Sequence, residues 1–161
     1  LKFIPPQLAT LSDATPQSEN WVHEIKFDGY RVQALVENGE VRMLTRNGLD
    51  WTDKFSVLAK NLANLGVENA ILDGEIVALD KDSRSNFLKL QEVLKGEQDD
   101  ELQYYIFDLL HLNGEDLTGL PLIKRKEKLQ KLLEKKPLEN IFYSEHFEFR
   151  GEEFLFQFVE V

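Results

Sequence analysis

A strongly apolar strand pattern over residues 70–79, interrupted by two acidic residues, constrains the fold more than any other feature of the sequence. Alternate residues of a strand share a face, so Asp73 and Glu75 lie on the same face as Ile71. Carboxylates are costly to bury unless they meet a cation or a hydrogen-bond donor. Because apolar residues stand on both faces of this strand, an exposed sheet edge explains the two carboxylates less well than partners inside the fold.

The rest of the chain alternates between strand and helix patterns. Asn38-Gly39 is a strong hairpin signal between strands at 30–36 and 40–45, and residues 102–110 form a further apolar strand pattern. The other predicted segments are an extended lead-in over 1–20, a strand over 21–27, helices near 55–65 (capped by Thr52 or Asp53), 87–94 and 122–133, an acidic loop at 97–101, a short strand near 141–144 and the start of a helix at 151. This order predicts an α+β domain with antiparallel sheets and packed helices.

Length and composition indicate one globular domain. The chain has 161 residues, of which 42% are hydrophobic and 30% charged, an ordinary globular composition with enough chain for one core. No apolar run approaches the roughly 20 residues of a membrane-spanning helix, so no membrane partner is expected. The absence of cysteine excludes disulfides, thiolate zinc sites and a cysteine nucleophile, and it fits a cytoplasmic bacterial protein.

The charge balance argues against a broad basic surface for phosphate backbones. The net charge is −10 and the isoelectric point is near 4.8, whereas a protein that grips nucleic acid along its surface is usually basic. The densest basic run begins at Lys124-Arg125-Lys126. We interpret it as the solvated face of an amphipathic helix.

Residues 24–31, Glu-Ile-Lys-Phe-Asp-Gly-Tyr-Arg, concentrate polar side chains around one lysine. A strand over 21–27 would place Glu24 and Lys26 on one face, at the mouth of a turn made by Asp28-Gly29. A lysine amine can act as a nucleophile when its surroundings favour the neutral form. A surface lysine beside a turn is the ordinary alternative, and these residues alone favour that alternative.

The segment Lys26-Phe27-Asp28-Gly29-Tyr30-Arg31 resembles the Lys-x-Asp-Gly-x-Arg signature of covalent nucleotidyltransferases, which are ATP-dependent DNA ligases, RNA ligases and mRNA capping enzymes. Three further matches follow in the order of that family: Thr45-Arg46-Asn47-Gly48, Leu72-Asp73-Gly74-Glu75 and Tyr105-Ile106-Phe107-Asp108-Leu109-Leu110. Smaller matches at 8–10, 85–91 and 112–117 resemble the ligase domain of bacterial ligase D-type end-joining enzymes. The resemblance covers nearly the whole chain and implies a nucleotidyltransferase (ATP-grasp-like) fold.

The resemblance also implies roles for individual residues. Lys26 would attack the α-phosphate of ATP, and Mg²⁺ or Mn²⁺ would assist. The implied nucleotide contacts come from Glu24 (adenine edge), Ile25, Lys26, Arg31 and Arg46 (ribose and phosphates), Glu75 (ribose) and Phe107 (stacking on the base), and the implied metal ligands are Asp73 and Glu75. A plain core phenylalanine is the alternative for Phe107, and a solvated turn arginine is the alternative for Arg46.

The function implied is that of an ATP-dependent DNA ligase adenylation domain in DNA repair and end joining. AMP would pass from Lys26 to a DNA 5′-phosphate, and the 3′-hydroxyl at the nick would then displace it. The implied partners are nicked or broken double-stranded DNA, an OB-fold domain in cis and end-joining proteins at the bacterial nucleoid. Residues 1–161 are expected to be the amino-terminal portion of the domain, without the later motifs. The alternatives are an RNA ligase, a capping-type enzyme and a catalytically silent nucleotide-binding module.

Overall fold

The structure is a computed structural model that describes residues 1–13, 16, 18, 20–96 and 101–148. Its elements, in chain order, are β1 (His23–Glu24), β2 (Tyr30–Glu37), β3 (Glu40–Thr45), α1 (Ser56–Leu62), β4 (Asn69–Ala78), α2 (Phe87–Gly96), β5 (Leu102–Leu112), β6 (Glu115–Asp116), α3 (Leu122–Lys135), β7 (Ile141–Tyr143) and β8 (His146–Phe147). The chain divides into two compact units. The larger contains Leu1–Pro5 and Phe27–Tyr143, and the smaller contains Pro6–Lys26 and the chain from Ser144 onward.

A six-stranded sheet forms the frame of the larger unit. Its strand order is β3-β2-β4-β5-β6, and β7 also pairs with β5. The predicted antiparallel pairing is confirmed for the strands along this order, while β7 runs parallel to β5. The predicted hairpin is present between β2 and β3, where Asn38 and Gly39 have φ angles of 51° and 85°. Both residues therefore adopt the left-handed conformation that such a turn requires.

The sheet separates two apolar clusters because alternate residues of each strand point to opposite faces. One face, with the helices, forms the main core, whose largest fully buried side chains include Phe55, Tyr104 and Ile106. The second cluster contains Leu35, Leu44, Ile71 and Leu110 on the other face, with Leu1, Phe3 and Ile4 packed against it. There the buried Gln33 exchanges two hydrogen bonds with the backbone of Ile4, of 2.9 and 3.0 Å. Residues 1–5 thus cover part of the second face.

The helix predicted near 55–65 is present but shorter than expected, and two details are wrong: its predicted cap and the extent of the strand predicted over 21–27. The helix expected over 55–65 is a 3₁₀ turn, Thr52–Phe55, followed by the shorter α1. Thr52 does not cap it, because its hydroxyl donates to Asp50 at 2.6 Å and accepts from the backbone N–H of Met43 at 2.9 Å, and no side chain caps the 3₁₀ turn. The strand expected over 21–27 contains only β1, because its partner β8 is itself two residues long.

The smaller unit contributes the β1–β8 pair, in which His23 is opposite Phe147 and Glu24 is opposite His146. The helix expected from Gly151 lies outside the described residues, as do positions 97–100 of the expected acidic loop. Within the part of the chain that the structure describes, no helix is long and apolar enough to cross a membrane.

Candidate functional site

Four of the predicted site residues lie together on the second face of the sheet, and we call them the polar face: Arg31, Asp73, Glu75 and Phe107. Arg31 on β2 is the register partner of Glu75 on β4. Asp73 is two residues before Glu75 and therefore points to the same side. The two carboxylates of the apolar strand thus meet a cation from the neighbouring strand, as the cost of burying them requires.

Arg31 and Asp73 form a two-point ion pair. The Nε and Nη2 atoms of Arg31 donate to the two carboxylate oxygens of Asp73, at 3.1 and 2.9 Å. The side chain of Asp73 is only 4% exposed and that of Arg31 is 24% exposed. Burial raises the pKa of Asp73, an effect that the guanidinium opposes. Burial also lowers the pKa of Arg31, but the hydrogen bond and charge of Asp73, together with the charges of Glu75 and Asp108, outweigh it and raise that pKa, so the guanidinium is charged.

Phe107 occupies an irregular position in β5. Gly74 of β4 is opposite Ile106 and Asp73 is opposite Asp108, so Phe107 is an extra residue between the two pairs. Such β-bulges bend a strand and re-aim a side chain, often beside an active site. The ring of Phe107 is half-buried, and the guanidinium carbon of Arg31 lies 5.2 Å from its centroid, within cation–π range. Phe107 therefore belongs to the polar face and not to the main core.

Lys26, Glu24 and Ile25 belong to the smaller unit. Glu24 is half-buried on β1, whereas Ile25 and Lys26 follow the end of that strand and are exposed. The prediction that Glu24 and Lys26 share a strand face is therefore wrong, because β1 ends at Glu24. The geometry does not place these three residues relative to the polar face, and their roles remain predictions.

The residues that follow Lys26 are firmly held in the larger unit. The Phe27 ring stacks on Tyr105 with centroids 4.2 Å apart, and Tyr105 is the register partner of Glu75. The backbone N–H of Asp28 donates to the Ser85 hydroxyl at 3.0 Å. A side chain at Gly29 would collide with the carbonyl oxygen of Ile76. The Lys-x-Asp-Gly segment thus needs glycine because its backbone lies directly against β4.

Arg46 lies in the turn after β3, one residue past the pair that joins Thr45 to Val32. This is the same end of the sheet as Arg31, which precedes Val32. The turn closes through hydrogen bonds from Gly48 N–H to the Thr45 carbonyl and from Thr45 N–H to the Leu49 carbonyl, of 2.7 and 2.9 Å. The Arg46 side chain is exposed. Its role stays a prediction.

Sequence reasoning missed a basic pair on α3. Arg125 donates from Nε and Nη2 to Asp108 at 2.7 and 2.8 Å, and Lys126 is fully buried. The interpretation of this run as a solvated helix face is therefore wrong for both residues. A signal was present, because Lys126 is spaced at i−3 from Leu129 and at i−7 from Leu133, the two buried leucines of the helix.

The carboxylates suit a metal ion only together with a substrate. Among the described residues, no three His, Asp or Glu side chains cluster as a metal site would require. Mg²⁺ often takes one or two carboxylates, several waters and substrate phosphates. Because Arg31 engages both oxygens of Asp73, Asp73 could bind a metal only by sharing an oxygen.

Comparison with known proteins identifies the family. The family model described as the ATP dependent DNA ligase domain matches residues 6–160, and the chain belongs to that family. The chain is 43% identical over 133 residues to the multifunctional non-homologous end joining protein LigD of Pseudomonas aeruginosa, covering 83% of this chain and 16% of that protein. It is 33% identical over 130 residues to the corresponding LigD protein of Mycobacterium tuberculosis, covering 80% of this chain and 17% of that protein. The chain thus spans about one sixth of these curated relatives.

Solved structures agree with this family. The crystal structure of the ligase domain of M. tuberculosis LigD matches with a TM-score of 0.73 at 27% identity, covering 88% of this chain and 46% of that chain. A mycobacterial DNA ligase D complexed with ATP and MES matches with a TM-score of 0.74 at 27% identity, covering 92% and 48%. These findings confirm the predicted family, the ATP-dependent DNA ligase domain, and the α+β fold class.

Proposed function

We propose that Lys26 is the nucleophile of a covalent adenylyl transfer. In the proposed first step, Nζ of Lys26 attacks the α-phosphorus of ATP, a P–N bond forms, the bond to the bridging α–β oxygen breaks, and pyrophosphate leaves as the amine loses a proton. AMP then passes to the 5′-phosphate of a DNA nick with release of the lysine. Finally the 3′-hydroxyl attacks that phosphate, and AMP leaves. The observation that carries the proposal is the polar face, on which Arg31, Glu75 and Phe107 meet. Phe27, the residue that follows Lys26, stacks on Tyr105, the register partner of Glu75.

The polar face supplies groups that match a nucleoside. We propose that Phe107 stacks on adenine, an interaction of aromatic faces that contributes about 1–3 kcal/mol in nucleic-acid complexes. Glu75 would accept from a ribose hydroxyl, and Arg31 would donate to the ribose side. The rigid ion pair with Asp73 supports this role, because a guanidinium held at two points loses little freedom when it binds.

The phosphates need cationic partners. Arg46, exposed at the same end of the sheet as Arg31, would contact the triphosphate or the nick phosphate through its planar fork. A bound Mg²⁺ or Mn²⁺ would neutralise charge on the phosphate oxygens. Asp73 and Glu75 are the proposed protein ligands for it. Glu24 and Ile25 are proposed to contact the base, with the Glu24 carboxylate accepting from the exocyclic amine of adenine.

The substrate and partners are also proposals. The relatives are named as end-joining LigD proteins, which supports nicked or broken double-stranded DNA as the substrate and end-joining proteins as partners. The net charge of −10 favours a DNA grip supplied largely by other parts of a ligase. The solved ligase domains are about twice as long as the part matched here, and we propose that the later nucleotidyltransferase motifs and an OB-fold domain complete the enzyme.

Label transfer from ATP and GTP tests the function. The full-length protein as the gene encodes it is incubated with α-labelled ATP or GTP, and the adduct is tested for the acid lability and base stability of a phosphoramidate. We expect labelling from ATP, chase of the label into nicked DNA and sealed product, because a site that pairs a polar base edge rejects the mispaired analogue strongly. Labelling from GTP that equals or exceeds labelling from ATP would favour capping-type chemistry. Nucleotide binding without label would favour a silent binding module.

A further inference from the structure

The start of helix α3 supports the edge of β5 around Phe107. β4 occupies one edge of β5, and on the other edge β7 pairs with residues 104–106 and β6 with residues 111–112. Between these pairings, no described strand lies against residues 107–110 on that edge. Side chains of α3 contact Phe107 and Asp108 in this stretch, and the backbone N–H of Leu117 donates to the carbonyl of Leu110 at 2.9 Å.

Lys126 is the buried member of this contact. Its side chain has 0% exposure, its Nζ atom donates to the carbonyl oxygen of Phe107 at 3.2 Å, and the same atom lies 4.9 Å from the centroid of the Tyr143 ring. Burying an ammonium is costly unless it is compensated by hydrogen bonds or charge. An apolar residue could fill this place on the apolar stripe at lower cost, so the ammonium serves its polar contacts.

Arg125 fixes the next residue of the same strand. Its guanidinium holds the Asp108 carboxylate at two points, 2.7 and 2.8 Å, and Nη1 donates to the carbonyl of Leu120. The Asp108 carboxylate also accepts the backbone N–H of Leu109 at 2.8 Å. Both side chains of the pair are only 15% exposed, so solvent screens them little. The two basic residues of α3 therefore restrain consecutive residues of β5, Phe107 through its carbonyl and Asp108 through its carboxylate.

We propose that Arg125 and Lys126 are positioning residues for nucleotide recognition, because they hold the β5 bulge in the shape that directs Phe107 onto the polar face. The proposal rests on the function proposed above, in which Phe107 stacks on the base. An extra residue in a strand has no ladder hydrogen bonds of its own to fix it, so its direction depends on such outside contacts. Lys126 should therefore affect nucleotide binding only when the Phe107 ring is present.

A double-mutant cycle between Lys126 and Phe107 measures this coupling. The dissociation constant of α,β-methylene-ATP, which cannot release pyrophosphate, is measured by calorimetry on the full-length protein and on Lys126→Met, Phe107→Ala and the double variant. Phe107→Ala should raise the constant about tenfold or more, the scale of base–aromatic stacking. Lys126→Met should raise it at least about threefold, within the range of coupling between residues in contact. In the Phe107→Ala background, Lys126→Met should change it by less than about 1.5-fold, because the ring that the lysine orients is gone.

Lys124→Met is the matched control, because Lys124 lies on the same helix but is exposed and pairs with Glu127 at 2.9 Å. It should change the constant by less than about 1.5-fold, as expected of a surface pair. Circular dichroism establishes that each variant is folded. If Lys126→Met is unfolded, Arg125→Lys replaces it in the cycle, since lysine keeps the charge but cannot form the two-point contact to Asp108.

The outcomes separate this inference from the proposed function. If Lys126→Met weakens binding equally with and without the Phe107 ring, or not at all while Phe107→Ala does, the positioning role is overturned and the proposed function stands. If Phe107→Ala itself leaves binding unchanged, the proposed stacking role fails, and the positioning role fails with it.

Discussion

Arg31 holds Asp73 through two hydrogen bonds of 2.9 and 3.1 Å, and the same guanidinium lies 5.2 Å from the centroid of the Phe107 ring. One side chain of β2 therefore links the carboxylate of β4 to the aromatic ring of β5. Such a two-point pair sets the plane of the guanidinium, because both its donors and the acceptor oxygens are planar arrays. The polar face is consequently organised before any nucleotide arrives.

Loss of the Asp73 charge should destabilise the fold. Asp73→Asn removes the two-point partner of the partly buried Arg31, and we expect the free energy of unfolding to fall by about 2–4 kcal/mol. Urea denaturation followed by circular dichroism measures this. Glu127→Gln, which removes an exposed partner of Lys124, should cost less than about 1 kcal/mol. If Asp73→Asn and Glu127→Gln lower the free energy of unfolding equally, the Arg31–Asp73 pair contributes no more than an exposed surface pair.

Glu75 should matter for chemistry and not for stability. Glu75→Gln keeps the shape of a half-buried side chain but removes the charge proposed to bind ribose or metal. We expect self-adenylation to slow by about 100-fold, the usual scale for one lost catalytic contact, and the melting temperature to change little, because Arg31 keeps its two-point pair with Asp73. Glu68→Gln, at an exposed position just before β4, is the control and should change neither the rate of self-adenylation nor the melting temperature. An unfolded Glu75→Gln protein, or one that labels at the full rate, contradicts the assignment.

Gly29 should not tolerate a methyl group. A Cβ there would overlap the carbonyl oxygen of Ile76, which is backbone and cannot rotate away. We expect Gly29→Ala to lower the free energy of unfolding by about 2–3 kcal/mol, as overpacking in a close contact does, and to slow adenylation because Lys26 is three residues away. Gly119→Ala meets nothing within 4 Å and should be nearly neutral. Thermal melts and label transfer from ATP measure both effects, and a neutral Gly29→Ala would contradict the close approach.

The Asp50 carboxylate, in the turn before α1, should make the stability of the fold depend on pH in the acid range. The Asp50 carboxylate accepts from the hydroxyl and backbone N–H of Thr52, at 2.6 and 3.0 Å, and these bonds lower the pKa of Asp50. A lowered folded pKa means that the contribution is present above the unfolded pKa of about 3.9 and is lost as pH falls through the lower folded value. Asp50→Asn should therefore cost about 0.5–1 kcal/mol at pH 7, with the exposed position keeping it small.

The free energies of unfolding of the unchanged protein and of Asp50→Asn should become equal at low pH. Urea denaturation of the unchanged protein and of Asp50→Asn at a series of pH values from 7 to below 3 measures the difference directly. The difference should shrink toward the acid end, because the protonated Asp50 no longer has the stronger acceptor. A difference that stays constant or grows on acidification would show that the Thr52 contacts do not favour the ionised carboxylate.

The sequence predicted the frame of the fold well, and physical reasons explain what it did not predict. Strand alternation and Asn38-Gly39 predicted the β2–β3 hairpin, and the apolar runs predicted β4 and β5. The bulge at Phe107 has no local signal, because it arises from the register of β5 against β4. The shortness of β1 is likewise set by its two-residue partner, β8, which lies more than 120 residues away along the chain.

The candidate site was predicted only in part for a similar reason. Periodicity placed Asp73 and Glu75 on one face, but it could not identify Arg31 as the partner of Asp73, since that contact depends on how β2 and β4 pair. Lys126 was misjudged because a lysine within a basic run is usually solvated. Its position on the apolar stripe of α3 outweighed its residue type.

Mapping the AMP adduct on the protein tests the central claim most directly. The full-length protein is incubated with ATP and Mg²⁺, digested under conditions that preserve a phosphoramidate, and analysed by mass spectrometry alongside Lys26→Arg. We expect one AMP per protein, attached to Lys26, and no adduct in the Lys26→Arg protein, whose guanidinium stays protonated and cannot attack. An adduct on another residue, or undiminished labelling of Lys26→Arg, would contradict the assignment of the nucleophile.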